Sequence, residues 1–164
     1  MTDCLYSPHR SAVSILLDEA PRRAMEAHAL SRGDGEVAGM MLGPWPARLP
    51  DGLYLVEVQD YIPARHTVNH AGLVILTPES WRAIHDEKAR RYPDGGMAIV
   101  GWLHTHPGLG LFLSESDRFI HRTYFDRPWH IAAVLDPVAR AGGFFAWDAA
   151  LGDIRRHEFV WHWG

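Results

Sequence analysis

A single cysteine, Cys4, occurs among 164 residues. Disulfide stapling is therefore excluded and a reducing compartment fits; Cys4 is also remote in sequence from the histidines discussed below, so a thiol nucleophile is not indicated. No apolar run approaches the ~20 residues that a membrane-spanning helix needs. The N-terminus, Met1-Thr2-Asp3-Cys4-Leu5-Tyr6, lacks the basic and apolar regions of a secretory signal. Lys and Arg total 16 against 20 Asp and Glu, for a formal charge of −4, and they form no basic cluster. Nucleic acid is a poor partner for such a surface. Repeats, low-complexity tracts and linker-like stretches are missing as well. What remains is a cytoplasmic globular protein, its length suiting one domain over 1–164 with room for a buried core.

What is present is an alternation of strand and helix signals. Val13, Ile15 and Leu17 alternate as in a half-buried strand. Pro21 suits the first turn and Gly33 the C-terminal end of a helix over about 21–32. Glu36 to Leu42 reads as a buried strand, stopped by Gly43-Pro44-Trp45-Pro46. Tyr54 to Ile62 alternates as one long strand ending at Pro63. Leu73 to Leu76 is a further strand. Thr77-Pro78-Glu79, a cap followed by an N1 proline, starts a helix to about Arg91, with Trp81 and Ile84 as core contacts. Ala98 to His104 is strand, Glu115 to Phe125 helix and Trp129 to Leu135 strand; Phe144 to Trp147 and Ile154 to Trp161 form a closing hairpin. The sum is an α/β fold in which a mixed, curved β-sheet is wrapped by about three helices.

The chemistry concentrates in residues 104 to 117. His104 and His106 are two apart, so on an extended strand both imidazoles leave the same face. A Gly-rich connection leads to Ser114, which fits an N-cap, and to Asp117 three residues later, in the first helical turn. Two neutral nitrogens and one carboxylate are three ligands of the kind a catalytic zinc uses, leaving a fourth position for water. Either half alone is an ordinary structural pattern. Together, after an apolar strand and before a helix, they indicate a metallohydrolase site.

His104-Thr105-His106-Pro107, followed after six residues by Ser114-x-x-Asp117, resembles the signature of the JAMM (MPN-type) zinc isopeptidases. Gly101-Trp102 before the histidines and Leu113 before Ser114 look like that family too. The family also carries an upstream glutamate ahead of an apolar strand, and the stretch Glu36 to Gly43 is similar to it. The resemblance runs from about residue 12 to about residue 136 and fits the small, single-domain bacterial members. It implies the cytidine-deaminase-like JAMM/MPN fold and one Zn2+ per chain held by His104, His106 and Asp117. The implied activity is deconjugation or precursor processing at the C-terminal tail of a ubiquitin-like protein. Partners would be that protein or its conjugates, with relatives of ubiquitin-activating and -conjugating enzymes in the same pathway. The long insertions of some family members are short or missing.

Amide hydrolysis at such a centre needs a base that takes the water proton and returns it to the leaving amine. Glu36, by itself, reads as a solvated turn residue after Gly33-Asp34-Gly35; its match to the family's glutamate makes it the candidate base. Ser114 has two possible tasks, capping the helix and donating to the oxyanion of the tetrahedral intermediate. One hydroxyl can hardly serve both fully, and the oxyanion role is favoured. A substrate tail would lie between residues 63–73 and 108–113, with Phe112 and Leu113 as exposed apolar contacts. Trp102 is expected to pack beside the metal, and Trp161 and Trp163 to cover the sheet edge. Asp136-Pro137 reads as a strand-ending turn. His66 and His70 read as loop surface, while His85, His121, His130, His157 and His162 have no partner at ligand spacing. Two other functions stay in play: a non-hydrolytic scaffold, against which the intact Glu36, His104, His106 and Asp117 set argues, and a zinc amidase for small amides or peptides, which uses the same metal site with a different pocket.

Overall fold

The computed structural model describes residues 10–33, 35–71, 73–148 and 152–164, so Cys4 and Asp34 lie outside the described residues. Fourteen elements follow one another: β1 (Val13–Leu17), α1 (Glu19–Leu30), β2 (Ala38–Pro44), β3 (Ala47–Arg48), β4 (Tyr54–Val58), β5 (Asp60–Pro63), β6 (Val68–His70), β7 (Leu73–Ile75), α2 (Pro78–Arg91), β8 (Met97–Thr105), α3 (Glu115–Tyr124), β9 (Ile131–Asp136), β10 (Ala141–Trp147) and β11 (Ile154–Arg156). A six-stranded sheet runs in the order β11-β10-β9-β8-β2-β5. All its pairs are antiparallel except β8–β9. The mixed α/β architecture expected from the sequence is the one observed. Among the described residues no helix is long and apolar enough to cross a membrane.

The sheet has two apolar faces, and the strand period of two sorts residues between them. Met41, Leu103, Ile131, Ala133, Leu135 and Phe144 join one core cluster with Met25 and Ala29 of α1. Their neighbours Met40, Leu42, Trp102, Ala132, Val134 and Phe145 join a second, with Ile84 of α2 and Phe125 beyond α3. Both faces being covered, β9 is buried along its whole length and reads as an apolar run up to Leu135, before Asp136.

Within the six-stranded sheet the one parallel pair among the described residues, β8–β9, positions the site. Parallel neighbours require a crossover, which here is α3. It begins just beyond the carboxyl end of β8, where ligands bind in open α/β sheets.

The segment expected as one strand over 54–62 is two strands in different sheets. β4 pairs in parallel with β1 in a three-stranded sheet, whereas β5 pairs with β2 in the six-stranded one. The face changes phase at Gln59-Asp60: Val56 and Val58 face the first core cluster, and so does the odd-numbered Tyr61. The stretch expected to be loop up to Ala71 contains β6, which pairs with β7 in a two-stranded hairpin. Its three-residue strands, exposed except for Val74, are too short for a periodicity signal. The closing strand stops at Arg156 rather than Trp161. Beyond it the chain packs irregularly on the first core, where the Trp161 indole donates to Glu26 Oε1 at 2.9 Å. Helix α1 starts two residues before Pro21, which sits in its first turn.

Candidate metal centre

β8 delivers the two histidines to the end of the central sheet. His104 is opposite Ala38 of β2 and beside Val134 of β9. Thr105, between the histidines, points to the other face: its Oγ1 accepts from Val37 N at 2.9 Å and its amide donates to Val37 O at 3.1 Å. His106 lies just past the strand, its amide donating to Leu135 O at 2.8 Å. Both imidazoles are buried, with 1% and 4% exposure. Their Nε2 atoms are 3.1 Å apart.

α3 brings the carboxylate. Ser114 is its N-cap: Ser114 Oγ accepts from Asp117 N at 3.1 Å, and Asp117 Oδ2 accepts from Ser114 N at 2.8 Å. This reciprocal capping box satisfies two orphan amides. It also fixes Asp117 Oδ2 at 3.1 Å from His104 Nε2 and 3.3 Å from His106 Nε2. Burial opposes ionisation of Asp117, but the two imidazoles and the Ser114 amide outweigh it and hold the carboxyl well below its usual range. Burial lowers the His104 pKa, favouring the neutral ring, with Asp117 partly opposing this. Three lone-pair atoms thus converge on one point, and His104, His106 and Asp117 could together hold a metal ion. Two nitrogens and one carboxylate oxygen suit zinc in chemistry and number.

Glu36 lies two residues before β2 and is 9% exposed. Extending the β2–β8 register by two residues from Ala38–His104 puts Glu36 across from His106. Val74 N of β7 donates to Glu36 Oε2 at 3.1 Å. Burial raises the Glu36 pKa; His106 and the Val74 amide pull it down in part, and Asp117 adds to the rise.

The Ser114 hydroxyl caps α3 as an acceptor, through a lone pair. A hydroxyl has a proton to donate as well, so capping and oxyanion donation do not compete in the way the sequence suggested. Phe112 is 44% exposed, and its ring centroid lies 4.6 Å from that of His106. Leu113, expected beside it as an exposed contact, is instead buried in the second core, directly before the Ser114 cap of α3. Trp102 is stacked on His104 with centroids 4.5 Å apart at 14°. His66 pairs with Glu79 at 3.6 Å and His70 is exposed on β6, so both are surface residues.

Asp136 is more than the expected turn residue. It is 2% exposed, and its carboxylate accepts from Gly108 N, Val138 N and Ala139 N through Oδ1 and from Gly110 N through Oδ2. Burial opposes ionisation, yet these four amides keep its pKa below the usual value. The connection from His106 to Ser114 is thereby tied to the end of β9. Gly108 and Gly110 adopt φ of +72° and +87°, a region that glycine enters without a Cβ penalty. The only sequence signal was Asp-Pro following an apolar strand. Asp136→Asn replaces one acceptor oxygen by a donor facing an amide. It should cost about 1–3 kcal/mol in urea unfolding and speed amide exchange at Gly108 and Gly110. Unchanged stability and exchange would show that the carboxylate does not hold the loop.

The family described as JAB1/Mov34/MPN/PAD-1 ubiquitin protease matches residues 13–126. COP9 signalosome complex subunit 5 of Drosophila melanogaster is 34% identical over 118 residues, 70% of this chain and 33% of its own. The subunit of the same name from Eremothecium gossypii is 32% identical over 113 residues, covering 67% of this chain and 24% of its own. A Theionarchaea archaeon protein named NAD(+) hydrolase TcpA is 30% identical over 134 residues, covering 80% of this chain and 36% of its own. The chain therefore spans roughly a quarter to a third of the length of these relatives. The solution structure of protein DSY2949 from Desulfitobacterium hafniense shares the fold, with a TM-score of 0.63 at 18% identity, covering 90% of this chain and 92% of that one. With the histidine pair, the capping-box carboxylate and the sheet that joins them in place, the chain belongs to the JAB1/Mov34/MPN/PAD-1 (JAMM/MPN-type) family.

Proposed function

We propose that this chain is a zinc-dependent peptidase that cuts the amide bond following the C-terminal tail of a ubiquitin-like protein, in a conjugate or a precursor. The observation that carries the reading is the donor set: His104, His106 and Asp117 converge on one point, with Glu36 buried two residues before β2. Family membership supports the substrate class. The relatives' own activities belong to much longer proteins and do not by themselves choose between a ubiquitin-like tail, a small amide and NAD+.

A zinc ion in this site supplies Lewis-acid chemistry and brings the pKa of a water towards ~7. His104 and His106 offer Nε2, and Asp117 offers Oδ2. Glu36 suits the proton carrier, taking a proton from the attacking water and returning it to the leaving amine nitrogen. The Ser114 O–H donates to the oxygen that becomes negative as the carbonyl carbon turns tetrahedral. The site's exposed flank carries Phe112 on one side; Leu73 and Ile75 of the β6–β7 hairpin are exposed on the segment that holds Glu36. An extended tail suits such apolar flanks, and glycine at the cut bond passes close to buried groups without side-chain clash.

Metal analysis of the purified protein should find about one zinc per chain. His104→Ala, His106→Ala and Asp117→Ala should each lose it; unchanged zinc in all three would remove the assignment.

Glu36→Gln is nearly isosteric and removes no ligand, so zinc should stay while turnover falls by roughly 10²-fold or more. Ser114→Ala should lose about 10²–10³-fold. Full turnover by Glu36→Gln at neutral pH would assign the base to another group.

The substrate class is tested with ubiquitin-like fusions ending in glycine, the same fusions with a bulky last residue, small peptide amides and NAD+. Rapid cleavage of the glycine-ended fusions alone is expected. Equal rates for glycine and bulky tails, or cleavage confined to small amides or NAD+, would overturn the ubiquitin-like reading.

A further inference from the structure

The metal ligand His104 has an unusual environment on its far side. Histidines that bind metals normally donate their second ring nitrogen to a carboxylate, carbonyl or water, which fixes the ring plane. Among the described residues, nothing accepts from His104 Nδ1, a fully buried atom. On the side away from Asp117 and His106, therefore, no hydrogen bond from the described residues sets this ring. What contacts its face is the indole of Trp102, parallel within 14° at 4.5 Å, itself backed by Phe125 at 5.8 Å and 9°. The indole in turn is pinned. Its Nε1–H donates to His121 Nδ1 at 3.0 Å, across buried space between β8 and α3.

Position in the fold gives this bond its meaning. Trp102 is two residues before His104 on β8, on the same strand face. His121 is four residues after Asp117 on α3, on the same helix face. The Trp102–His121 bond thus joins the two elements that carry the ligands, one layer behind the ligands themselves. Indole nitrogen can only donate, so His121 Nδ1 must accept and the ring must be neutral, protonated at Nε2. We propose that His121 is a positioning residue of the metal centre. Through Trp102 it fixes the plane of the His104 ring and the register of α3, and so of Asp117, against β8. The inference rests on the metal reading given above, but not on which amide bond the site cuts.

Three variants test it, read out by zinc affinity in chelator competition, by the visible absorption of the cobalt(II)-loaded protein, and by thermal unfolding of the metal-free protein. His121→Leu keeps an apolar filling but removes the acceptor. It should weaken zinc binding about 10–100-fold, as loss of outer-shell partners does, and alter the cobalt bands. His121→Gln retains an acceptor oxygen and should recover affinity to within a few-fold of the parent. Trp102→Phe keeps a ring face but loses the N–H. It should show the same spectral change, and it carries the test if His121→Leu does not fold. A purely structural role would lower the unfolding temperature in His121→Leu while leaving zinc affinity and the cobalt spectrum unchanged, and that outcome overturns the proposal. Equal loss of affinity in His121→Leu and His121→Gln also overturns it, because the acceptor would then not matter. A parent protein that bound neither metal would overturn this inference together with the metal centre.

Discussion

The arrangement turns on one oxygen atom. Asp117 Oδ2 accepts the Ser114 amide that starts α3 and lies within 3.3 Å of both ligand imidazoles. It can do both only because α3 begins where β8 ends. That placement follows from the parallel pairing of β8 with β9, which forces the chain over the carboxyl edge of the sheet before it can return. The N-terminal end of α3 adds its own preference for an anion there. Helix capping, sheet topology and ligand geometry are thus one constraint expressed at three scales.

The same constraint sets two carboxylates apart in their preference for the ionised form. Asp117 has a helix N-terminus, an amide and two imidazoles around it, and these favour the ionised form, the one that could hold a metal ion. Glu36 is buried with one amide, from Val74, and burial raises its pKa. Pairs of titratable groups pushed apart by their surroundings are how one site supports two roles. Here the difference comes from the elements: Asp117 lies within a capped helix, whereas Glu36 precedes a strand and is held from a separate hairpin.

Much of this was legible in the sequence. His-x-His on an apolar strand and Ser-x-x-Asp at a helix start encode local geometry, so β8, α3 and the three ligand atoms follow from periods of 2 and 3.6 and from cap chemistry. Leu113 misled because a residue in an irregular segment has no period to show which way it faces. The split of 54–62 between two sheets was hidden because both halves alternate, and only the change of phase at Gln59-Asp60 separates them. Asp136 and His121 were illegible for a further reason. Each acts on a segment distant in sequence, Asp136 on Gly108 and Gly110 and His121 on Trp102. Nothing local distinguishes such residues from a turn aspartate or a core histidine.

The metal-ligand cluster is in this sense continuous with the core. Trp102, Leu113, Phe125 and Ile84 belong to one packed cluster, and His104 extends the stack of Phe125 and Trp102 by one more ring. Close-packed interiors transmit displacement because there is little free volume to absorb it. A shift of Phe125 at the end of α3 would therefore move Trp102, then the plane of His104, with no ligand replaced. Asp136 and Thr105 act differently, fixing backbone rather than rings: one ties the loop after His106 to β9, the other ties the strand between the histidines to Val37, next to Glu36. The motif residues supply the donor atoms, and these surrounding groups determine whether the donors meet at one point.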